Sequence, residues 1–148
     1  MKIIFLDCDG VMLSRKVKDR TTLGQDPILP CHMIELNYII EKTDASVVIT
    51  SCWRKVYTLG ELKRKFRDAG FTGKIIDCTG PSKYRRGLEI QDWLKNVPRR
   101  VDSFVILNDS VPEVMDPYGD RLVATVTETG LEREHSEKAI AILNKTTP

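Results

Sequence analysis

Apolar positions along the chain switch repeatedly between a short, strand-like run and a helical period. Ile3–Asp7, Ser46–Thr50, Lys74–Asp77, Phe104–Leu107 and Leu122–Val126 are brief apolar runs, several of them β-branched, and read as strands buried on both faces. Between them, Met33, Leu36, Ile39 and Ile40 follow Pro30 at helical spacing, with the proline suited to a first turn. Leu59, Leu62, Phe66 and Ala69 mark a second helix stopped by Gly70. A third runs through Leu88, Ile90, Trp93, Leu94 and Val97 to end near Pro98. The last spans 132–144, with Ala139, Ile140 and Leu143 inward. Strands alternating with helices predict an α/β fold: a Rossmann-like, doubly wound, mainly parallel five-stranded sheet with helices on both faces.

Length changes this picture little, since 148 residues suit one domain with its own core. The sequence predicts a single domain over 1–148, with no repeat, low-complexity tract or second core. The one long irregular piece, 12–29, is rich in charge and turn residues, and a loop of that length is expected to be a flap or lid. With 41% hydrophobic and 30% charged residues the composition is that of a soluble protein. No apolar run approaches a membrane span and Met1-Lys2-Ile3 leads straight into a strand, so no signal peptide and no membrane partner are expected. Cys8, Cys31, Cys52 and Cys78 lack the spacing of a zinc site, and as reduced thiols they fit a cytoplasmic location. Net charge is only +2, but the basic residues are clumped, at 15–20, 54–55, 63–67, 83–86 and 99–100. Clumping favours a phosphate-bearing partner. For the group at 63–67 a solvated helix face is a sufficient account.

The chemistry gathers at the strand ends. Asp7-Cys8-Asp9-Gly10 closes the first strand, where a buried strand gives way to a loop and ligands bind in open α/β sheets. Two acids one residue apart can serve a hard cation and a phosphate, or form an ordinary acidic turn. Thr50-Ser51-Cys52-Trp53-Arg54 places hydroxyls and an arginine after the second strand, a donor set suited to phosphate oxygens. Asn108-Asp109-Ser110 ends the fourth strand, and Ser82-Lys83-Tyr84-Arg85-Arg86-Gly87 leads cations into a helix. Each motif alone is weak; their order and placement together are specific.

These four motifs resemble those of the haloacid dehalogenase-like (HAD) superfamily of phosphohydrolases, over nearly the whole chain. Asp7-Cys8-Asp9-Gly10-Val11 is similar to its first motif and Val47-Val48-Ile49-Thr50 to its second. Arg86-Gly87, or Lys83, is similar to its third, and Val105-Ile106-Leu107-Asn108-Asp109 to its fourth. More narrowly, residues 50–54, 87–94 and Thr129-Gly130-Leu131 resemble a capless subgroup that includes domains associated with RNA repair, with polynucleotide 3′-phosphatases as relatives. The resemblance implies that Asp7 attacks phosphorus to form an aspartyl-phosphate, already ionised if its pKa is the ordinary ~3.9. It implies Asp9 as general acid and then base, which requires a raised pKa. Mg²⁺ is implied on Asp7, Asp109 and the Asp9 backbone carbonyl. Thr50, with Ser51 close by, would bind a phosphoryl oxygen, and Arg86 or Lys83 would neutralise charge. Gly10 would allow a turn that aims backbone N–H groups at the phosphate. The fourth motif departs from the usual adjacent acids, which leaves Asp109 as the direct ligand and Asn108 on a metal-bound water. Arg86 is favoured over Lys83 by its place directly before Gly87.

Blander roles compete at several positions. Trp53 and Trp93 read as core or groove wall rather than base-stacking platforms, Cys8 as packing, and His32 and His135 as surface or packing residues. Arg54 divides evenly between structure and phosphate binding, as do Arg15, Lys16, Lys18 and Arg20 between solvated loop and substrate-facing flap. A site without a cap suits a phosphate protruding from something large, so the expected substrate is a nucleic-acid end or a nucleotide. A small-metabolite phosphatase and a non-catalytic phosphate-binding module are the alternatives.

Overall fold

The structure, a computed structural model, describes residues 1–16, 27–50, 52–80 and 85–145. Five strands form one sheet: β1 (Lys2–Leu6), β2 (Ser46–Ile49), β3 (Ile75–Cys78), β4 (Ser103–Asn108) and β5 (Leu122–Ala124). Among the described residues, α1 (Pro30–Thr43), α2 (Leu59–Asp68) and α3 (Arg86–Asn96) connect the first four strands, two short 3-10 turns join β4 to β5, and α4 (Arg133–Asn144) follows β5. The order across the sheet is β3-β2-β1-β4-β5 and every pairing is parallel. The expected "mainly parallel" sheet is thus wholly parallel among the described residues. Helix α3 starts at Arg86, two residues before the apolar period begins, so its first turn includes the motif arginine.

Alternation along β1 decides which layer each residue joins. Ile4 and Leu6 point into a core shared with Met33, Leu36 and Ile39 of α1, Leu62 and Phe66 of α2, and Ala139 and Leu143 of α4. Ile3 and Phe5 point the other way, toward Ile90 of α3 and Met115. Helix α2 is opened by a capping box in which Thr58 and Glu61 satisfy each other's backbone N–H groups. Among the described residues no helix is long and apolar enough to cross a membrane.

The chain moves outward from β1 to β2 to β3, then returns to the far side of β1 with β4 and β5. The switch point therefore lies between β1 and β4, where a crevice opens at the carboxyl ends of the strands.

The segment expected to be a flap is anchored at both ends. Met12, Leu13, Ser14 and Leu29 are buried, and the Leu29 N–H donates to the Met12 carbonyl at 3.0 Å. Residues 17–26, with Lys18 and Arg20, lie outside the described residues. Next to this base His32 is wholly buried: Nε2 lies 2.8 Å from Ser14 Oγ and Nδ1 2.9 Å from the Leu131 carbonyl. A carbonyl only accepts, so Nδ1 carries the proton and Nε2 accepts from the serine. Burial, the largest effect, lowers the His32 pKa and keeps the ring neutral. His135 is also buried and accepts the Glu132 N–H at the start of α4, at 3.0 Å. Both histidines are packing residues.

Replacing Ser14 by Ala strands the His32 Nε2 acceptor inside the core. The expected cost is about 1–3 kcal/mol, read as a lower urea midpoint at unchanged denaturant slope.

Candidate active site

Asp7 directly follows β1, and its N–H donates to the Leu107 carbonyl of β4 at 3.0 Å, so the residue is stitched to the far side of the switch point. It is 9% exposed. Burial raises its pKa from 3.8 to about 6 against the opposing pull of the Arg86 charge and the Cys8 N–H, while Asp109 and Asp9 push it further up. The ordinary carboxylate pKa expected from sequence is therefore corrected: Asp7 is a desolvated acid.

A tight turn follows. The Cys8 carbonyl accepts N–H groups from Val11, Met12 and Leu13, and Cys8 itself is buried in the core. Gly10 has φ +81°. Its N–H is spent on the Leu13 carbonyl at 2.8 Å. It is therefore not one of the N–H groups expected to face a phosphate. Gly10 serves another purpose: a Cβ there would overlap the Asp109 carboxylate. The missing side chain lets Asp109 close against the β1 loop, and the Gly10 carbonyl is fixed by Thr125 Oγ1 at 2.7 Å. Thr127 Oγ1 donates to Asp109 Oδ2 at 2.8 Å. Asn108 is buried at the end of β4, and its carbonyl accepts the Thr125 N–H.

Asp9 is exposed, and its Oδ1 accepts the indole N–H of Trp53 at 3.3 Å. Trp53 is 3% exposed and forms part of the core. Trp93 packs edge-on to Phe5 and donates to Asp77 at 2.7 Å. Neither ring is an exposed base-stacking platform.

Thr50 ends β2 alongside Asp7, its N–H bound to the Leu6 carbonyl at 2.9 Å. Its side chain is fully buried, yet Oγ1 has no hydrogen-bond partner among the described residues. A buried hydroxyl left that way costs about 1–3 kcal/mol, which a ligand oxygen would relieve.

Arg54 is not aimed at a free anion. Its Nη1 donates to the Thr50 carbonyl at 2.7 Å and its Nη2 pairs with Glu89 at 3.0 Å, with both side chains buried. Glu89 also faces Arg86 Nη1 at 3.6 Å and accepts from Thr79 Oγ1 at 3.4 Å. That Arg86 nitrogen is buried without a hydrogen-bond partner among the described residues. Arg86 thus stands between Glu89 and Asp7 with donor capacity to spare. Its position depends on Gly87, where a Cβ would run into the Met115–Asp116 backbone. Ser51 and Lys83 lie outside the described residues. Lys16 pairs with Glu132 at 3.2 Å.

The site therefore brings together Asp7, Asp9, Asp109, Thr50 and Arg86. Three supporting residues were missed from sequence: Glu89, Thr127, and Trp53 as a partner of Asp9. Glu89 had a signal, an acid three residues after the motif arginine on a helix face that also carries Ile90. The two others depend on tertiary contact alone. These residues fit a hard divalent cation: Asp7, Asp109 and Asp9 supply oxygen donors, and the desolvated charge on Asp7 is one a cation would offset.

A family model described as "HAD domain in Swiss Army Knife RNA repair proteins" matches residues 3–136. No curated protein and no solved structure matches the chain.

In protein stripped of metal by a chelator, Asp7→Asn is expected to be stabilising at pH 8. Because the folded pKa is raised, ionising Asp7 costs stability as pH climbs from 3.8 through about 6. The gain should therefore reach about 3 kcal/mol above that window and vanish near pH 4, as read by denaturant melts across pH.

Proposed function

The chain belongs to the HAD domain family of Swiss Army Knife RNA repair proteins, a branch of a phosphohydrolase superfamily, and on that footing we propose that it is a Mg²⁺-dependent phosphomonoesterase. Its substrate is a phosphorylated nucleic-acid end, such as a 3′-phosphate, or a nucleotide. The observation that supports this best is the setting of Asp7: a buried carboxylate at the central switch point, under the influence of the Arg86, Asp109 and Asp9 charges.

Asp7, Asp109 and the Asp9 backbone carbonyl would hold Mg²⁺, with Asn108 beside them, and the ion would supply positive charge to offset repulsion between carboxylate and phosphate. An Asp7 carboxylate oxygen attacks phosphorus, forming an acyl phosphate as the ester P–O bond breaks. Asp9, held by the Trp53 indole, gives its proton to the departing ester oxygen. It then takes a proton from the water that attacks the same phosphorus. The Asp7–phosphorus bond breaks, inorganic phosphate leaves, and both aspartates return to their starting states. Thr50 Oγ1 donates to a phosphoryl oxygen, Ser51 lies next in the chain, and Arg86 Nη1 meets the charge on the transferring group. Arg54 shapes this binding region indirectly, through the Thr50 carbonyl and Glu89.

Two features support a large substrate. Between β1 and α1 the described chain is pinned shut from Met12 to Leu29, and between β2 and β4 it is occupied by α2, β3 and α3. Neither holds a folded cap among the described residues. The family's RNA-repair description adds the chemical class.

Mg²⁺-dependent phosphate release from an aryl phosphate is expected, abolished by Asp7→Asn and lowered about 10²–10³-fold by Arg86→Gln, the scale for losing one charge-stabilising donor. Unchanged turnover in Asp7→Asn would overturn the nucleophile. Matched 3′-phosphorylated, 5′-phosphorylated and mononucleotide substrates should show the 3′-phosphorylated strand fastest. Faster hydrolysis of free nucleotides would overturn the strand-end reading.

A further inference from the structure

The basic group at 63–67 is more than a solvated helix face. Lys63 and Arg67 project from α2 at the mouth of a cavity of about 570 Å³, and Lys74, just before β3, lies across from them. Its apolar lining is Phe71, Ile75 and Ile76. Phe71 is half-buried and packs edge-on against Phe66, with ring centroids 5.8 Å apart. Ile76 is 36% exposed although it lies within a strand. Among the described residues no carboxylate lines the cavity, and none of the three cations is in an ion pair. In a chain whose acids and bases nearly balance, three unneutralised cations over an apolar floor form a local anomaly.

The cavity also has a fixed place relative to the site. It takes in Ile75 and Ile76, the amino-terminal half of β3, at the free edge of the sheet. The level of the active site lies further along, at Cys78 on the carboxyl end of that strand. Cys78 is paired with Ile49, and Ile49 with Leu6, the residue before Asp7. The groove therefore stops short of the active site, about 10 Å along the strands and about 10 Å across them, a gap that roughly two or three nucleotides of an extended strand can span.

We infer that this groove between α2 and the edge of β3 binds the backbone of a single-stranded RNA whose end occupies the active site. Lys63 and Arg67, one helical turn apart, sit at a separation of about 5–6 Å, similar to that of neighbouring phosphates on a strand. Lys74 meets the backbone from the other wall, and the apolar floor takes the flat faces of unpaired bases. Charge selects a polyanion. The choice of RNA rests on the function proposed above.

The test is binding of an RNA of about ten nucleotides, with hydroxyls at both ends and a fluorescent label, followed by anisotropy across a salt series. Because this strand carries no terminal phosphate, the result does not depend on catalysis. The triple variant Lys63→Gln, Arg67→Gln, Lys74→Gln is expected to flatten the log–log salt dependence by about 2, at about 0.7 for each phosphate that is no longer neutralised. Its affinity at low salt should fall roughly tenfold or more, with aryl-phosphate turnover unchanged. An unchanged salt slope would overturn the inference, as would displacement of the RNA by a polyglutamate peptide at equal charge concentration. If the slope flattens but wild-type protein releases no phosphate from 3′-phosphorylated RNA, the groove stands and the phosphatase reading fails.

Discussion

Holding one carboxylate out of water at the centre of the sheet is the constraint around which the other parts of this molecule are arranged. Asp7 is placed by β1 and pinned to β4, and its desolvation is opposed by a single arginine and one backbone N–H. A buried charge needs a partner, and the partner in turn needs a place. Glu89 provides it, a buried acid between Arg54 and Arg86. One arginine is thereby locked into the scaffold beneath Thr50, while the other is ion-paired with Glu89 through an Nη1 that makes no hydrogen bond among the described residues. Charge runs outward in alternating sign, from Asp7 to Arg86 to Glu89 to Arg54.

Topology supplies the rigidity this arrangement demands. All five strands run in one direction, and β1 and β4 part company where the chain reverses its order across the sheet. Carboxylates from two strands thus meet without either backbone having to bend. Gly10 completes the approach by offering no side chain where Asp109 must lie. The same turn is closed by the N–H groups of Gly10, Val11, Met12 and Leu13, which donate to the Leu13 and Cys8 carbonyls.

Periodicity made the fold legible: each strand and helix read from apolar spacing is present, with ends displaced by one or two residues. Ends move because apolar spacing marks only the buried face of a helix and not its terminal turns; α3 begins at Arg86 with no side-chain cap from Arg85. The candidate site was legible too, because Asp7, Thr50, Arg86 and Asp109 each sit at a strand end or a helix start. Less visible was what those residues cost. No spacing rule reveals that Asp7 is desolvated, that Arg54 is spent on Glu89, or that Trp53 reaches Asp9. Each depends on which side chains the sheet order brings together. Lys63 and Arg67 show the converse. As a helical stripe they look like ordinary solvation, and only the proximity of Lys74 and the β3 edge gives them a shared object.

The closure of the chain from Met12 to Leu29 has a consequence for how such a protein can change. The ends of that segment are fastened by a backbone hydrogen bond and braced by the Ser14–His32–Leu131 contacts, so the core does not depend on what is strung between them. Loop entropy grows only slowly, at about 0.6 kcal/mol for each doubling in length. A change in the number of intervening residues therefore acts on the described fold only through the two fastened ends, and the approach of Asp109 to the Gly10 turn is left in place.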